Sequence, residues 1–123
     1  MFRTRRVLVV EDEVITAMSL EMELEQAGYT VCRKVSTGEE AVEIARKEVP
    51  DLILMDICLA GNVDGIEAAK LIRKNADIPM IFITGYADEN MESRAKSLKP
   101  LGYLLKPLKI EKLQQLIDSI ETA

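Results

Sequence analysis

Residues 51–57 read Asp-Leu-Ile-Leu-Met-Asp-Ile, and the middle of that stretch decides the fold. Leu52 to Met55 (LILM) is apolar at every position, with an acid on either side. A strand with one face in water would alternate. An unbroken apolar run suits a strand covered on both faces, as at the centre of a parallel sheet. Such a strand needs helices above and below it, so the flanking sequence should supply them.

Toward the amino terminus, Arg6 to Val10 (RVLVV) reads as a second buried strand. Glu13 to Ala27 has helical composition and Gly28 stops it. Thr30 to Val35 is a half-polar strand. Thr37-Gly38-Glu39-Glu40 matches a capping box that opens a helix to about Glu48, and Pro50 breaks it. Toward the carboxyl terminus, Asp64 can cap a helix to about Asn75. Pro79 to Thr84 (PMIFIT) is a fourth strand, and about Asp88 to Leu98 a weaker helix. Gly102 to Leu105 (GYLL) is a short fifth strand. Leu108 to Ile120 is amphipathic, with Leu113, Leu116, Ile117 and Ile120 on one face.

Five strands alternating with five helices predict an α/β fold: an open, doubly wound parallel sheet with helices on both faces. The strands are too few for an eight-fold barrel. No repeat, linker or low-complexity segment interrupts the pattern, so residues 1–123 are expected to form one domain, with no output domain after the last helix.

Composition narrows the function. A chain of 123 residues, 48% hydrophobic and 30% charged, can bury roughly two-thirds of its unfolded surface without disulfides or structural metal. The net charge of −5 argues against direct nucleic-acid binding, which needs excess Lys and Arg. Arg3, Arg5 and Arg6 read as a solvated strand entrance. No apolar run approaches the ~18 residues of a membrane span, and the run ending at Val10 is too short for a signal peptide, so a cytoplasmic location is expected. Cys32 and Cys58 are expected as free thiols, buried or half-buried. Met18, Met22, Met55 and Met80 read as core fillers rather than ligands. The absence of histidine excludes Ser-His-Asp and Cys-His centres.

Open parallel sheets gather their chemistry at the carboxyl ends of the strands. Here those ends are Glu11-Asp12, Asp56, Thr84-Gly85 and Lys106-Pro107. Taken together, VLVVEDE (7–13), DLILMDI (51–57), DGIEAAKLIR (64–73), IPMIFITGYAD (78–88) and GYLLKPL (102–108) resemble the receiver domains of two-component response regulators. The pieces occur in the family's order and cover nearly the whole chain. The resemblance implies a flavodoxin-like sheet of order 2-1-3-4-5. In that order Asp56 is flanked by Asp12 and Thr84, with strands about 4.8 Å apart, and Lys106 starts two strands away, roughly 10 Å.

The resemblance also implies roles. Asp56 would be the nucleophile and phosphorylation site. Glu11, Asp12, Asp56 and the backbone carbonyl of Cys58 would hold Mg²⁺, or Mn²⁺ in its place, with Glu11 acting through water. Three crowded acids destabilise an empty pocket, and a hard cation relieves them. Lys106 and the Thr84 hydroxyl would each neutralise a phosphoryl oxygen. Pro107 would follow a cis bond, as is common in the family. Thr84 and Tyr103 would form the switch, biasing the face of helix four, strand five and helix five. The donor would be a histidine kinase or histidine phosphotransfer protein, and a homodimer on phosphorylation is compatible with that face. No nucleic acid or membrane is implied as a direct partner, and the downstream target is not specified. Such a module is not an enzyme beyond catalysing its own phosphorylation and dephosphorylation.

Taken singly, the same residues have plainer readings. Glu11-Asp12 could cap the first helix, Asp56 could end a turn, Thr84 could serve β propensity, Lys106 could be a surface charge, and Tyr103 could be ordinary packing. Their combination favours the site. Some features depart from the family: Glu11 replaces the commoner Asp, and the loop from Ile57 to Val63 is one residue longer than usual and has Ala60 where proline is familiar. The resemblance implies that Tyr86 and Cys58 occupy positions that tune dephosphorylation, and a bulky Tyr86 is expected to shield the phosphoryl group from water. Two alternatives compete. One is a receiver-like interaction module that works without phosphorylation. The other is a phosphatase of the haloacid-dehalogenase type, disfavoured because its second acid falls at Cys58. Nucleotide or flavin binding lacks its glycine motifs.

Overall fold

The computed structural model describes residues 6–59, 61–85 and 88–121, with the Glu121 side chain left aside. Its elements run β1 (Arg6–Val10), α1 (Val14–Gln26), β2 (Thr30–Val35), α2 (Gly38–Glu48), β3 (Leu52–Asp56), α3 (Gly65–Arg73), β4 (Met80–Thr84), α4 (Glu89–Lys96), β5 (Gly102–Leu105) and α5 (Ile110–Glu121). All the pairings are parallel and the order is β2-β1-β3-β4-β5. The expected doubly wound sheet is therefore the observed one.

β3 is buried throughout, as its unbroken apolar run requires. Successive side chains point to opposite faces, so the strand serves two layers. Ile53 and Met55 join Leu8, Val10 and Phe82 beneath α2 and α3. Leu52 and Leu54 join Val7, Val9 and Ile81 against Leu20 and Leu24 of α1 and Leu113 and Ile117 of α5. Each fully buried Leu, Ile or Phe contributes roughly 1.5–3 kcal/mol relative to exposure, so this double core dominates the stability.

Local signals account for the ends. The Thr37 hydroxyl accepts from the Glu40 amide at 3.1 Å while Glu40 accepts from the Ser36 amide at 3.3 Å. Asp64 caps α3 through the Glu67 amide at 2.8 Å, and Asp88 caps α4 through the Met91 amide at 3.0 Å. Gly28, with φ of 100°, ends the α1 turn in a conformation that favours glycine. The expected boundaries shift by one or two residues: Glu13 and Asp88 precede their helices, and Pro79 precedes β4 because it has no N–H to donate to the ladder.

Three expectations need correction. Met55 and Met80 are core residues, but Met18 and Met22 are exposed. The buried face of α1 is built from Ala17, Leu20 and Leu24, and positions 18 and 22 lie around the helix from it. Cys32 is half-buried, whereas Cys58 is exposed because the chain has left the sheet by that point. Arg6 is not simply solvated: its guanidinium pairs with Glu48 at 2.8 Å. Arg3, Arg5, Ala60 and Tyr86 lie outside the described residues. Among the described residues no helix is long and apolar enough to cross a membrane.

Candidate functional site

β1, β3 and β4 end side by side, with Val10 opposite Met55 and Asp56 opposite Ile83. That register delivers the residues at their carboxyl ends to one place. Glu11 and Asp56 are buried, at 3% and 2% exposure, while Asp12 faces the open rim. Carboxylate oxygens of Glu11, Asp12 and Asp56 all lie within 4.8 Å of one another. The Lys106 ammonium enters from the loop after β5 and sits 2.6 Å from Glu11 Oε1 and 3.2 Å from Asp56 Oδ2. Its stem thus spans the two-strand separation expected from the sheet order.

The backbone fixes this arrangement. Lys106 N–H donates to the Thr84 carbonyl at 2.8 Å, which ties the strand-five loop to the end of β4. The Lys106–Pro107 peptide bond is cis, as expected. Thr84 is fully buried. The Cys58 N–H donates to Asp56 Oδ1 at 3.2 Å, so the backbone of residue 58 lies against the acid while its thiol side is open. The N-cap of α1 is Glu13, with no side-chain cap bond, and the Glu13 N–H donates to Glu11 Oε2 at 3.1 Å. Glu11 and Asp12 are therefore not the helix cap.

Electrostatics match this burial. Desolvation raises the Glu11 pKa; the hydrogen bond from Lys106 opposes that shift, and the nearby Asp56 reinforces it. For Lys106, desolvation alone would lower the pKa, but Glu11 and Asp56 together outweigh it and hold the amine above its ordinary value. One ammonium thus serves two buried acids, and Asp12 adds a third carboxylate at the rim. A hard divalent cation fits this donor set, since every side-chain ligand on offer is a carboxylate oxygen.

Tyr103 is half-buried and packs against the α2–α4 side of the core. Its hydroxyl is buried with no hydrogen-bond partner among the described residues. Burial, then Glu92 and Asp88, raise its pKa. The ring of this expected switch residue thus packs on the core.

Two features escaped the sequence reading. A Cβ on Gly65 would stand 2.1 Å from the Asp56 carbonyl oxygen, so only glycine lets α3 begin directly behind the acid. The signal was the Asp-Gly pair at 64–65, where the cap and the close approach coincide. The other is an exposed apolar stripe on α1: Val14, Ile15, Met18 and Met22 are 73%, 80%, 50% and 60% exposed. Their spacing puts them on one side of the helix, away from its core face, beside Asp12.

Comparison with known proteins fits this geometry. Residues 7–118 match the family model described as response regulator receiver domain. The chain is 36% identical over 119 residues to the transcriptional regulatory protein PdtaR of Mycobacterium tuberculosis, covering 97% of this chain and 56% of that protein. It is 34% identical to the polar-differentiation response regulator DivK of Brucella ovis, covering 94% of this chain and 95% of that protein. Among solved structures, the signal receiver domain of a modulated diguanylate cyclase from Desulfovibrio desulfuricans G20 superposes with a TM-score of 0.88 at 40% identity, covering 94% of this chain and 92% of that one. The chain spans about half the length of the first curated relatives it matches.

Proposed function

Because the chain belongs to the response regulator receiver domain family, we propose that it is the phosphoacceptor of a two-component phosphorelay, with Asp56 as the acceptor. The observation that carries this reading is the single ammonium of Lys106 set 2.6 Å from Glu11 and 3.2 Å from Asp56, with Asp12 completing the acid cluster.

The donor is a phosphohistidine on a histidine kinase or phosphotransfer protein, since this chain has no histidine. A carboxylate oxygen of Asp56 attacks phosphorus, the phosphorus–nitrogen bond breaks, and the imidazole leaves. Little covalent work falls to the protein, so positioning and charge stabilisation carry the rate. Asp12, Asp56, Glu11 through water and the Cys58 carbonyl would hold Mg²⁺, which supplies charge neutralisation when bound. Lys106 stays close to Asp56 and neutralises a phosphoryl oxygen. The Thr84 hydroxyl meets another and draws the strand-four loop with it. Tyr103 reads that movement, and the face of α4, β5 and α5 is the output surface, where a second copy or the downstream target docks. The exposed α1 stripe, adjoining Asp12, receives the helices of the donor protein. Residues 7–118 form the receiver unit, and it acts as a signalling module rather than as an enzyme on other substrates.

The test is phosphorylation with acetyl phosphate and Mg²⁺. One acid-labile phosphate should appear by mass spectrometry and be absent from Asp56→Asn. A wild-type protein that binds Mg²⁺ yet gains no phosphate would favour the phosphorylation-independent reading.

A further inference from the structure

Helix α4 is the least anchored helix of the sheet's two layers. Its sequence, ENMESRAK, is polar, and only Ala95 is buried. By contrast α3 buries Ile66, Ala68, Ala69 and Ile72. Two polar ties join these neighbours. Near the front, Arg94 lies 3.8 Å from the Asp64 carboxylate that caps α3. At the back, Arg73, the last residue of α3, donates to the carbonyl of Leu98, and its second terminal nitrogen donates to the Lys99 carbonyl at 3.4 Å. These two carbonyls follow directly on the α4 C-cap at Ser97. A guanidinium there ties down the turn that leaves the helix and complements the negative end of the helix dipole. Lys99 itself has φ of 53°, a conformation a non-glycine residue holds only when its surroundings fix it. Two residues later the Leu101 N–H donates to the Met80 carbonyl at 2.7 Å and the chain enters β5.

The result is asymmetric. The carboxyl end of α4 is held by Arg73, while its amino end follows the loop that starts at Thr84. We propose that Arg73 is a positioning residue, the pivot of the switch: by pinning the chain at Leu98 and Lys99 it makes α4 turn about that point, so that displacement of the loop after Thr84 reaches β5 instead of dissipating. This inference rests on the phosphoacceptor reading above, and it names the residue that turns a local movement into a rotation. Coupling of this kind needs an element whose two arrangements both sites bias; among the described residues the turn at the carboxyl end of α4 carries the Arg73 bonds, while its amino end carries only its own Asp88 cap.

The test is amide hydrogen exchange and amide NMR on the full 123-residue chain with Mg²⁺, with and without beryllofluoride. Arg73→Met keeps the apolar stem and removes the donors; Arg73→Lys keeps the charge on a single donor nitrogen but loses the planar fork. Ile72→Val, which trims the buried face of the same helix, controls for lost stability. In Arg73→Met, α4 amides should exchange about fivefold faster while β1 and β3 amides do not change. Signals around Asp56 should still respond to beryllofluoride, but the response of Gly102 to Leu105 should fall by about half, with Arg73→Lys in between. If Arg73→Met does not fold, Arg73→Lys must show the same selective loss in smaller measure. A full β5 response in the Arg73 variants, or an equal loss in Ile72→Val, overturns the pivot. Wild-type protein with no response near Asp56 removes the phosphoacceptor reading and the pivot with it, whereas failure of the pivot alone leaves the wild-type response intact.

Discussion

The floor of the site and its rim are built to opposite rules. Beneath the acids, β3 and β4 are fully buried at every residue and β1 at every residue but its first, with helices on both faces. Around the acids, α4 buries one residue, β5 is an edge strand of half-exposed side chains, and α1 turns four large apolar side chains to water. Tight packing resists displacement, whereas sparse packing opens at low cost. A rigid floor can hold two buried acids and an ammonium at fixed separation, while a loose rim can move and be touched.

The contrast should appear first in stability. Phe82 is fully buried in β4. Phe82→Ala should cost about 4 kcal/mol in urea unfolding, whereas Leu105→Ala on the exposed edge should stay within about 0.5 kcal/mol. Comparable losses at both positions would break the distinction. Next comes the charge balance on the floor. Lys106→Met removes the partner of buried Glu11 and should cost about 2 kcal/mol. Added Mg²⁺ should restore part of that loss, measured as a larger rise in melting temperature than in wild type. Smaller again is the α1 rim. Ile15→Asp should leave acetyl phosphate labelling unchanged yet slow transfer from a phosphohistidine donor about tenfold, worth about 1.4 kcal/mol. Equal effects on both donors would move Ile15 out of the rim and into the site. The least effect is expected from Ser93→Ala on the exposed face of α4, which should stabilise that helix by about 0.5 kcal/mol through propensity alone. It should slow α4 amide exchange while leaving β3 amides unchanged.

Much of this was legible in the letters because the controlling physics is local. LILM, short, apolar and bounded by acids, suits a covered strand, and Thr37 with Glu40 or Asp64 with Glu67 are caps whose partners sit three residues apart. The acid cluster was legible once the sheet order was supplied, since adjacent strand ends must converge. Facts that depend on which way a helix faces were not. The α1 segment is apolar around most of its circumference, so nothing in the spacing says that Leu20 and Leu24 go inward while Met18 and Met22 go outward. Cys58 was misplaced for a similar reason: a thiol is apolar enough for a core, but one residue after Ile57 the backbone has already left it. Arg73 on the Leu98 and Lys99 carbonyls joins positions about 25 apart through groups every residue carries, so no side-chain pattern announces it.

The alternation along β3 has a consequence for how such a protein could be altered. Leu52 and Leu54 speak only to the layer of α1 and α5, and Ile53 and Met55 only to the layer of α2 and α3. The sheet is a party wall. Repacking on the side of α1 and α5 can shift those two helices while the residues across the wall, including those of the α3 helix that holds α4, keep their places. The two helix layers are therefore separately adjustable, one residue apart on the same strand.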